Sequence, residues 1–309
     1  MSNIDLILSL VRAHPGLTDA ELRRRSGVEP HQQVNQICRQ LETRGLLRRE
    51  RGPAGHIVNI STGALDTWGA RTPSSAKPTH SANAATPRIG QAPIHAPGNR
   101  TLLIVQCSGK KSPGGESSRD GPSVLHLLTG RLAERLRDAR RQRASAVGLD
   151  ESRLLPAWQR YTGGFYAAAE DRLRLAVRED APIVIISGGY GLVLATEPIG
   201  TYKGVFHQRN WPRGLLEECL VSLTARLGVD EVVAFCSKST DYAKLVCHTP
   251  WPDAHVAASL GTPYFEGWGG AQVLVPRAAG QAVRAYLEHR LGADWRSSDE
   301  LPLVWEELA

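Results

Sequence analysis

The sequence predicts an α/β protein, with a parallel-sheet α/β domain preceded by a small winged helix-turn-helix domain. Its 309 residues exceed the usual size of a single domain. Near the N-terminus apolar positions recur at helical spacing, whereas beyond residue 100 short apolar runs alternate with helical stretches. We therefore expect a winged helix over 1–61, a linker over 62–99 and an α/β domain over 100–309.

The N-terminal part predicts three helices followed by a hairpin. The first helix covers 4–13, and a capping-box pattern that starts at Thr18 opens the second. The third starts near Pro30 and turns its apolar side chains inward. A basic run at 46–51, a Gly-Pro-Ala-Gly turn and the apolar run 56–60 predict two strands. This order of elements resembles the winged-helix DNA-binding family.

The outward face of the third helix carries polar side chains of the kinds that reach base edges or phosphates in DNA. The hairpin adds arginines, and a net charge of +6 favours a polyanionic partner. We expect double-stranded DNA, while a winged helix that contacts protein stays open as an alternative. The predicted DNA-binding residues are His31, Gln32, Gln33, Asn35, Gln36, Arg39, Arg48, Arg49 and Arg51.

The segment 62–99 is rich in Ala, Pro, Ser and Thr and poor in large apolar residues. Such a segment cannot bury enough apolar surface to fold alone. It predicts a flexible tether between two parts that both contact DNA.

Composition excludes several classes of protein. Five cysteines without a C-x-x-C pair indicate neither a disulfide framework nor a zinc knuckle. The histidines are scattered and no H-E-x-x-H motif occurs, so we expect no metal and no cofactor. No signal peptide and no apolar run of about 18 residues is present, so we expect a cytoplasmic protein without membrane contact.

Four short apolar runs beyond the linker predict buried strands, and the stretches between them predict helices. Alternation of strands and helices is typical of a parallel sheet. The predicted strands are 102–105, 183–186, 232–235 and 273–275. The predicted helices are 124–143, 164–178, 213–227 and 278–291.

Small, polar and cationic residues follow the first three predicted strands, at 106–111, 187–192 and 236–242. Ligands of open parallel sheets bind beyond the carboxyl ends of the strands, so we expect a site where these segments meet. The chain prefers arginine, yet it places lysines in or beside these segments. They are Lys110, Lys111, Lys203 and Lys238.

Two glycine-containing segments do not match known phosphate loops. Gly109-Lys-Lys-Ser112 lacks the earlier glycine of a P-loop, and Gly188-Gly-Tyr-Gly191 does not match G-x-G-x-x-G. Binding of nucleoside triphosphates or dinucleotides is therefore disfavoured.

The motifs of the α/β domain follow one another in a distinctive order. They are Tyr161-Thr-Gly-Gly-Phe-Tyr166, then Ile185-Ile-Ser-Gly-Gly-Tyr-Gly-Leu-Val193, then Glu197-Pro-Ile-Gly-Thr-Tyr-Lys203, and then Val232-Val-Ala-Phe-Cys-Ser-Lys-Ser-Thr-Asp-Tyr242. Through these motifs the stretch 101–245 resembles the peroxide-stress protein YaaA family, which implies a DNA-binding α/β domain related to DNA glycosylases. With its winged helix the chain also resembles antiphage DNA glycosylases that remove α-glucosylated hydroxymethylcytosine from phage DNA.

The resemblance implies a DNA glycosylase that flips out a modified base and excises it in antiviral defence. Cleavage of the N-glycosidic bond passes through an oxocarbenium-like sugar, which a carboxylate stabilises. The candidate carboxylates are Glu197 and Asp241, and a monofunctional enzyme is expected rather than a lyase. The predicted substrate-binding residues are Cys107, Ser108, Lys110, Lys111, Tyr161, Tyr166, Ser187, Gly188, Gly189, Tyr190, Tyr202, Lys203, Ser237, Ser239 and Tyr242.

Two other functions stay open at this point. The α/β domain of a ligand-responsive transcription regulator would act as the sensor for the winged helix. A DNA-binding stress protein without catalysis would protect DNA and release no base.

Overall fold

The computed structural model of the protein describes residues 3–29, 31–51, 57–62, 100–118, 120–265 and 270–309. Contacts divide the chain into two compact units, one within 1–82 and one within 83–309. The predicted linker over 62–99 lies almost wholly outside the described residues.

The first unit has the order of elements that is typical of a winged helix. Its elements are α1 (Asn3–Ala13), β1 (Leu17–Thr18), α2 (Asp19–Ser26), α3 (His31–Thr43), β2 (Leu47–Arg51) and β3 (Ile57–Ser61). The strands form an antiparallel sheet in the order β1-β3-β2, so β3 lies between the other two.

Local sequence fixes the ends of α2. The Glu21 N–H donates to the Thr18 hydroxyl at 3.3 Å, and the Thr18 N–H donates to the Glu21 carboxylate at 2.8 Å, as the capping-box pattern predicts. Gly27 ends the helix in the left-handed conformation, with a φ of 68°. The apolar faces of the helices then meet in one core, which includes Leu22 and Leu41.

The second unit alternates strands and helices. Its elements are β4 (Thr101–Gln106), α4 (Val124–Leu127), α5 (Gly130–Val147), β5 (Asp150–Pro156), α6 (Ala157–Arg160), α7 (Gly164–Arg178), β6 (Ile183–Ser187), β7 (Gly191–Leu194), β8 (Pro198–Thr201), α8 (Leu215–Leu227), β9 (Glu231–Phe235), α9 (Asp241–His248), β10 (Ala257–Pro263), α10 (Ala271–Leu287) and β11 (Leu303–Glu307). Short 3₁₀ helices lie at Gln208–Asn210 and Trp251–Ala254.

The main sheet of this unit has six strands in the order β11-β10-β9-β4-β6-β7. The four inner strands are parallel to one another, and β11 and β7 pair antiparallel at the two edges. Every residue of β4 and of β6 is buried, as expected for strands covered on both faces. The sheet is therefore mostly parallel, and β5 and β8 form a separate antiparallel pair.

The fourth predicted strand, at 273–275, is wrong because these residues belong to α10. The fourth parallel strand is β10, whose sequence Ala-Ala-Ser-Leu-Gly-Thr-Pro is not a run of large apolar residues. The middle of this strand is tightly packed, because a Cβ on Gly261 would lie 3.1 Å from the rings of both Phe235 and Trp305 and these rings would have to shift by a few tenths of an ångström. The predicted helix 124–143 is also divided, into α4 and α5.

Candidate DNA interface and candidate active site

Helix α3 has a buried apolar face and an exposed polar face. Val34, Ile37 and Leu41 are buried in the core of the first unit, since they recur at helical spacing. Gln36 and Arg39 are exposed. Among the predicted DNA-binding residues of α3 whose side chains the structure describes, these two are exposed, and Gln33 is half-buried.

A buried carboxylate ties two predicted DNA-binding residues to the interior. Asp19 accepts hydrogen bonds from Asn35 at 2.6 Å, from Arg49 at 2.6 Å and from Asn59 at 2.8 Å. The side chains of Arg49 and Asp19 are only 9% and 10% exposed. The structure therefore corrects the prediction that Asn35 and Arg49 face DNA, because both side chains join α2, α3 and the hairpin to each other.

Arg48 keeps an exposed position on β2, where it forms an ion pair with Glu50 at 2.8 Å. Such a pair on the surface contributes little to stability, so Arg48 can exchange Glu50 for a phosphate at low cost. The remaining predicted side chains of this unit, those of His31, Gln32 and Arg51, lie outside the described residues.

In the second unit, three buried hydroxyls close a ring of hydrogen bonds at the carboxyl end of β6. The Tyr161 hydroxyl donates to Ser187 Oγ at 3.0 Å, and the Tyr202 hydroxyl lies 2.9 Å from Tyr161 Oη and 3.0 Å from Ser187 Oγ. Because each hydroxyl has one proton, the three donors satisfy one another. Burial raises the pKa of Tyr161 and of Tyr202 well above the ordinary value, so both phenols stay neutral.

Lys111 lies beside this ring of hydrogen-bonded hydroxyls. Its Nζ is 3.9 Å from the centre of the Tyr202 ring and donates to the Ser108 carbonyl at 3.1 Å. Partial burial lowers the pKa of Lys111, and the nearby Arg160 lowers it further, whereas Cys107 raises it. The structure thus brings Lys111, Ser108 and the hydroxyl ring together, as the sequence predicts for the strand ends.

Fully buried Arg160 shapes the loop that carries Lys111, and the sequence alone did not point to it. It donates to the carbonyls of Gly114 at 3.1 Å, of Arg153 at 2.7 Å and of Ile199 at 3.2 Å. These carbonyls take the place of a carboxylate partner. Arg160 directly precedes the Tyr161 motif, but nothing in an arginine-rich sequence distinguishes it from a surface arginine.

A second buried cluster links the loops after β4 and β9. The Cys107 sulfur lies 3.1 Å from the Tyr242 hydroxyl, and the Tyr166 hydroxyl donates to the Gln106 carbonyl at 2.9 Å. The Gln106 side chain in turn accepts a hydrogen bond from the Ser237 N–H at 3.3 Å. These predicted residues lie together, but Tyr166 and Tyr242 are buried and do not present a ring face to solvent.

The glycine turn after β6 is covered by protein. A Cβ on Gly188 would lie 2.8 to 2.9 Å from the backbone of residues 204–206, and a Cβ on Gly189 would lie 2.8 Å from the Tyr202 ring. Both glycines are buried. The turn therefore packs closely against the following loop and does not offer its amides to a phosphate, which corrects the prediction that Gly188 and Gly189 bind substrate.

Glu197 does not lie at the carboxyl ends of the strands, where we expected the site. The Ala195 N–H donates to the carbonyl of Ile183, the first residue of β6, so this turn lies beside the amino end of that strand. The Glu197 carboxylate accepts from Ser123 and Arg140 on one oxygen and from the amides of Val124 and Leu194 on the other. All four acceptor positions are occupied, so Glu197 is structural here rather than available to a substrate.

Tyr190 is also turned away from the hydroxyl ring. It donates to the Glu151 carboxylate at 2.9 Å and accepts from the Gly200 N–H at 2.9 Å. Its ring contacts Tyr202 edge-on, with the ring centres 6.0 Å apart. Tyr190 therefore packs against Tyr202 and helps to position it.

Asp241 is the predicted carboxylate that lies at the carboxyl end of the sheet, at the start of α9. Its side chain is 20% exposed, 2.8 Å from Lys244 Nζ and 3.3 Å from His207 Nδ1. The hydrogen bond from Lys244 is the main reason that its pKa is lowered, with a further contribution from His207. Asp241 therefore stays ionised and open to a ligand.

The other predicted residues of this edge, Lys110, Lys203 and Ser239, are exposed. Beside Asp241 a groove of about 1040 Å³ runs between α8 and α9, lined in part by Arg209, Arg213 and Glu217.

Among the described residues no group of three or more His, Cys, Asp and Glu side chains is placed to hold a metal ion. No described helix is long and apolar enough to cross a membrane.

The comparisons with known proteins bear on the first unit. Residues 6–56 match the model of the MarR family. The match supports a winged-helix domain and DNA binding by that domain. No curated protein and no solved structure matches the chain. The resemblance of the second unit to the peroxide-stress protein YaaA family stays a prediction.

Proposed function

We propose that the protein is a DNA-binding regulator in which the winged helix binds duplex DNA and the α/β unit senses a small polar ligand. The observation that carries the proposal is the match of residues 6–56 to the MarR family together with the exposed polar face of α3. In helix-turn-helix proteins the corresponding helix enters the major groove. Gln36 and Arg39 are of the types that bind adenine or guanine edges and phosphates.

The Asp19 cluster supports this assignment by fixing α3 before DNA arrives. It joins α3 through Asn35 and the hairpin through Arg49. A recognition helix held in this way loses little conformational entropy on binding. Asn35 and Arg49 therefore act by positioning the surface that contacts DNA.

The groove beside Asp241 is the candidate ligand site of the regulator. Its lining carries both signs of charge, on Arg209 and Arg213 and on Glu217, which suits a polar ligand better than an apolar one. Ligand binding here would regulate the winged helix only if the two units are energetically coupled.

Titration of labelled random-sequence duplex DNA tests the binding part of this proposal. The variant Gln36→Ala/Arg39→Ala is expected to bind about tenfold or more weakly, since each base or phosphate contact contributes about 1–3 kcal/mol. Arg178→Ala, an exposed arginine of the other unit, serves as the matched control. Equal affinities of the wild type and the double variant would contradict the proposal.

A DNA glycosylase is the second candidate, and the position of Asp241 favours it. A partly exposed, ionised carboxylate at the carboxyl end of a parallel sheet is placed to stabilise an oxocarbenium-like sugar or to orient water. Water would add to the sugar carbon as the base leaves with the bonding electrons and a proton. The proposed substrate is modified phage DNA that carries glucosylated hydroxymethylcytosine.

Mass spectrometry of small molecules released from glucosylated phage DNA separates the two candidates. A glycosylase releases the modified base, and Asp241→Asn abolishes the release while DNA binding persists. Asp253→Asn, at an exposed aspartate, is the control. A wild-type protein that releases no base from any of several modified DNAs is not a glycosylase, and protection of DNA without base release would indicate a non-catalytic stress protein.

A further inference from the structure

The loop 203–206 of the second unit is held firmly against the turn that follows β6. The Lys203 N–H donates to the Val147 carbonyl at 2.8 Å, and the backbone of 204–206 packs directly on Gly188. Phe206 is 1% exposed and lies on Tyr242, with the ring centres 5.2 Å apart. The position of this loop is therefore determined by contacts on both sides.

One apolar side chain projects from this anchored loop. Val205 is 58% exposed, although its neighbour Phe206 is buried. Gly204 has a φ of 154°, which disfavours other residues and lets the chain turn outward at this point. The exposure of Val205 thus follows from a fixed backbone and not from the end of a loose loop.

The chain around Val205 is cationic. No Asp or Glu occurs between residues 203 and 213. Lys203, Arg209 and Arg213 are exposed, and none of them forms an ion pair within the described part of the chain. The neighbouring carboxylates already have partners, since Asp241 pairs with Lys244 and Glu217 accepts from Gln208 at 2.6 Å.

We propose that the segment 203–213 is a second DNA-contacting element, in which Lys203 and Arg209 bind phosphates and Val205 packs between bases. An apolar side chain flanked by free cations is the arrangement with which proteins open or kink a duplex from the minor groove. One valine offers too little apolar area to hold a membrane surface. The proposal rests on the DNA binding proposed above and adds a contact by the α/β unit.

The salt dependence of duplex binding by the full chain tests the phosphate contacts. The double variant Lys203→Gln/Arg209→Gln is expected to reduce the slope of log K against log salt by about 1.8, since each phosphate contact contributes about 0.9. The matched control is Arg178→Gln/Arg226→Gln, which changes two exposed arginines near the ends of α7 and α8. Its slope should equal that of the wild type.

The outcomes separate this inference from the proposed function. If Arg39→Gln lowers the slope and Lys203→Gln/Arg209→Gln does not, the second contact is overturned and the winged-helix function stands. If the wild-type chain does not bind duplex DNA at all, both are overturned.

Val205 is tested by the fluorescence of 2-aminopurine placed in the duplex, which rises when a base is unstacked. The wild type is expected to raise the fluorescence, Val205→Ala to lose most of the rise, and Val205→Leu to retain it. Leu175→Ala, at a residue that is 39% exposed on α7, is the control. An equal rise with Val205→Ala would overturn the role of Val205, and Val205-dependent binding to phosphatidylserine vesicles instead of DNA would assign the loop to a membrane surface.

Discussion

Glu197 and Asp241 are carboxylates of the same unit, and the structure gives them opposite surroundings. Glu197 is 4% exposed and accepts four hydrogen bonds near the amino end of β6. Asp241 is partly exposed at the carboxyl end of the sheet, beside the exposed side chains of Lys244 and His207, and accepts one backbone hydrogen bond, from the Gln208 N–H at 3.3 Å. The comparison teaches that an acidic residue in a motif can hold a fold together, while a neighbouring one stays open to chemistry.

The largest effect that tests this comparison is expected in the free energy of unfolding. Glu197→Gln leaves the Arg140 guanidinium buried without its carboxylate, so the free energy of unfolding should fall by about 3–5 kcal/mol. Urea unfolding followed by tryptophan fluorescence measures it, since five of the seven tryptophans lie among the described residues of the second unit. Asp241→Asn is the control and should cost less than about 1 kcal/mol. Equal losses for the two variants would remove the distinction.

A smaller effect is expected at the hydroxyl ring at the carboxyl end of β6. Tyr202→Phe leaves Ser187 and Tyr161 each short of one partner, so the free energy of unfolding should fall by about 1–3 kcal/mol. Ser239→Ala, which removes an exposed hydroxyl, should change it by about 0.5 kcal/mol or less. The same urea experiment decides, and a stability loss confined to Ser239→Ala would contradict the closed ring.

The smallest effect is the pH dependence contributed by Asp241. Its hydrogen bond from Lys244 lowers the pKa in the folded protein, so the stabilisation is present above the unfolded value of about 3.9 and is lost as the pH falls through the lower folded value. Since the group is partly exposed, the contribution should stay below about 1 kcal/mol. The stability difference between wild type and Asp241→Asn should therefore vanish in acid. In a Lys244→Gln background the stability difference caused by Asp241→Asn should be smaller at neutral pH. A stability difference that grows as the pH falls would mean that the pKa of Asp241 is raised in the folded protein, contrary to this prediction.

The sequence predicted the helices and strands where local signals decide them. The capping box at Thr18 and the apolar runs that became β4, β6 and β9 are such signals. It did not predict β10, because a strand packed tightly between Phe235 and Trp305 is rich in small residues and loses its apolar pattern. Whether a polar residue is buried depends on distant partners, and no local pattern encodes those.

The candidate sites show the same limit. Residues that follow the strands, such as Lys111 and Ser187, do lie together, because the carboxyl ends of parallel strands share one edge. Arg49 and Glu197 were placed wrongly because their partners, Asp19 and Arg140, are 30 and 57 positions away in the chain. Periodicity and motif spacing do not predict contacts between residues so far apart in the sequence.

The central position of β4 has a consequence for hydrogen exchange. This strand lies between β9 and β6 and every one of its residues is buried, so its amide protons reach water only when the whole unit opens. Deuterium should therefore enter β4 last and the exposed loop around Lys110 first. The second unit then combines a slowly exchanging sheet with a rapidly exchanging loop, and a ligand that binds at this loop should protect the loop and leave the exchange of β4 unchanged.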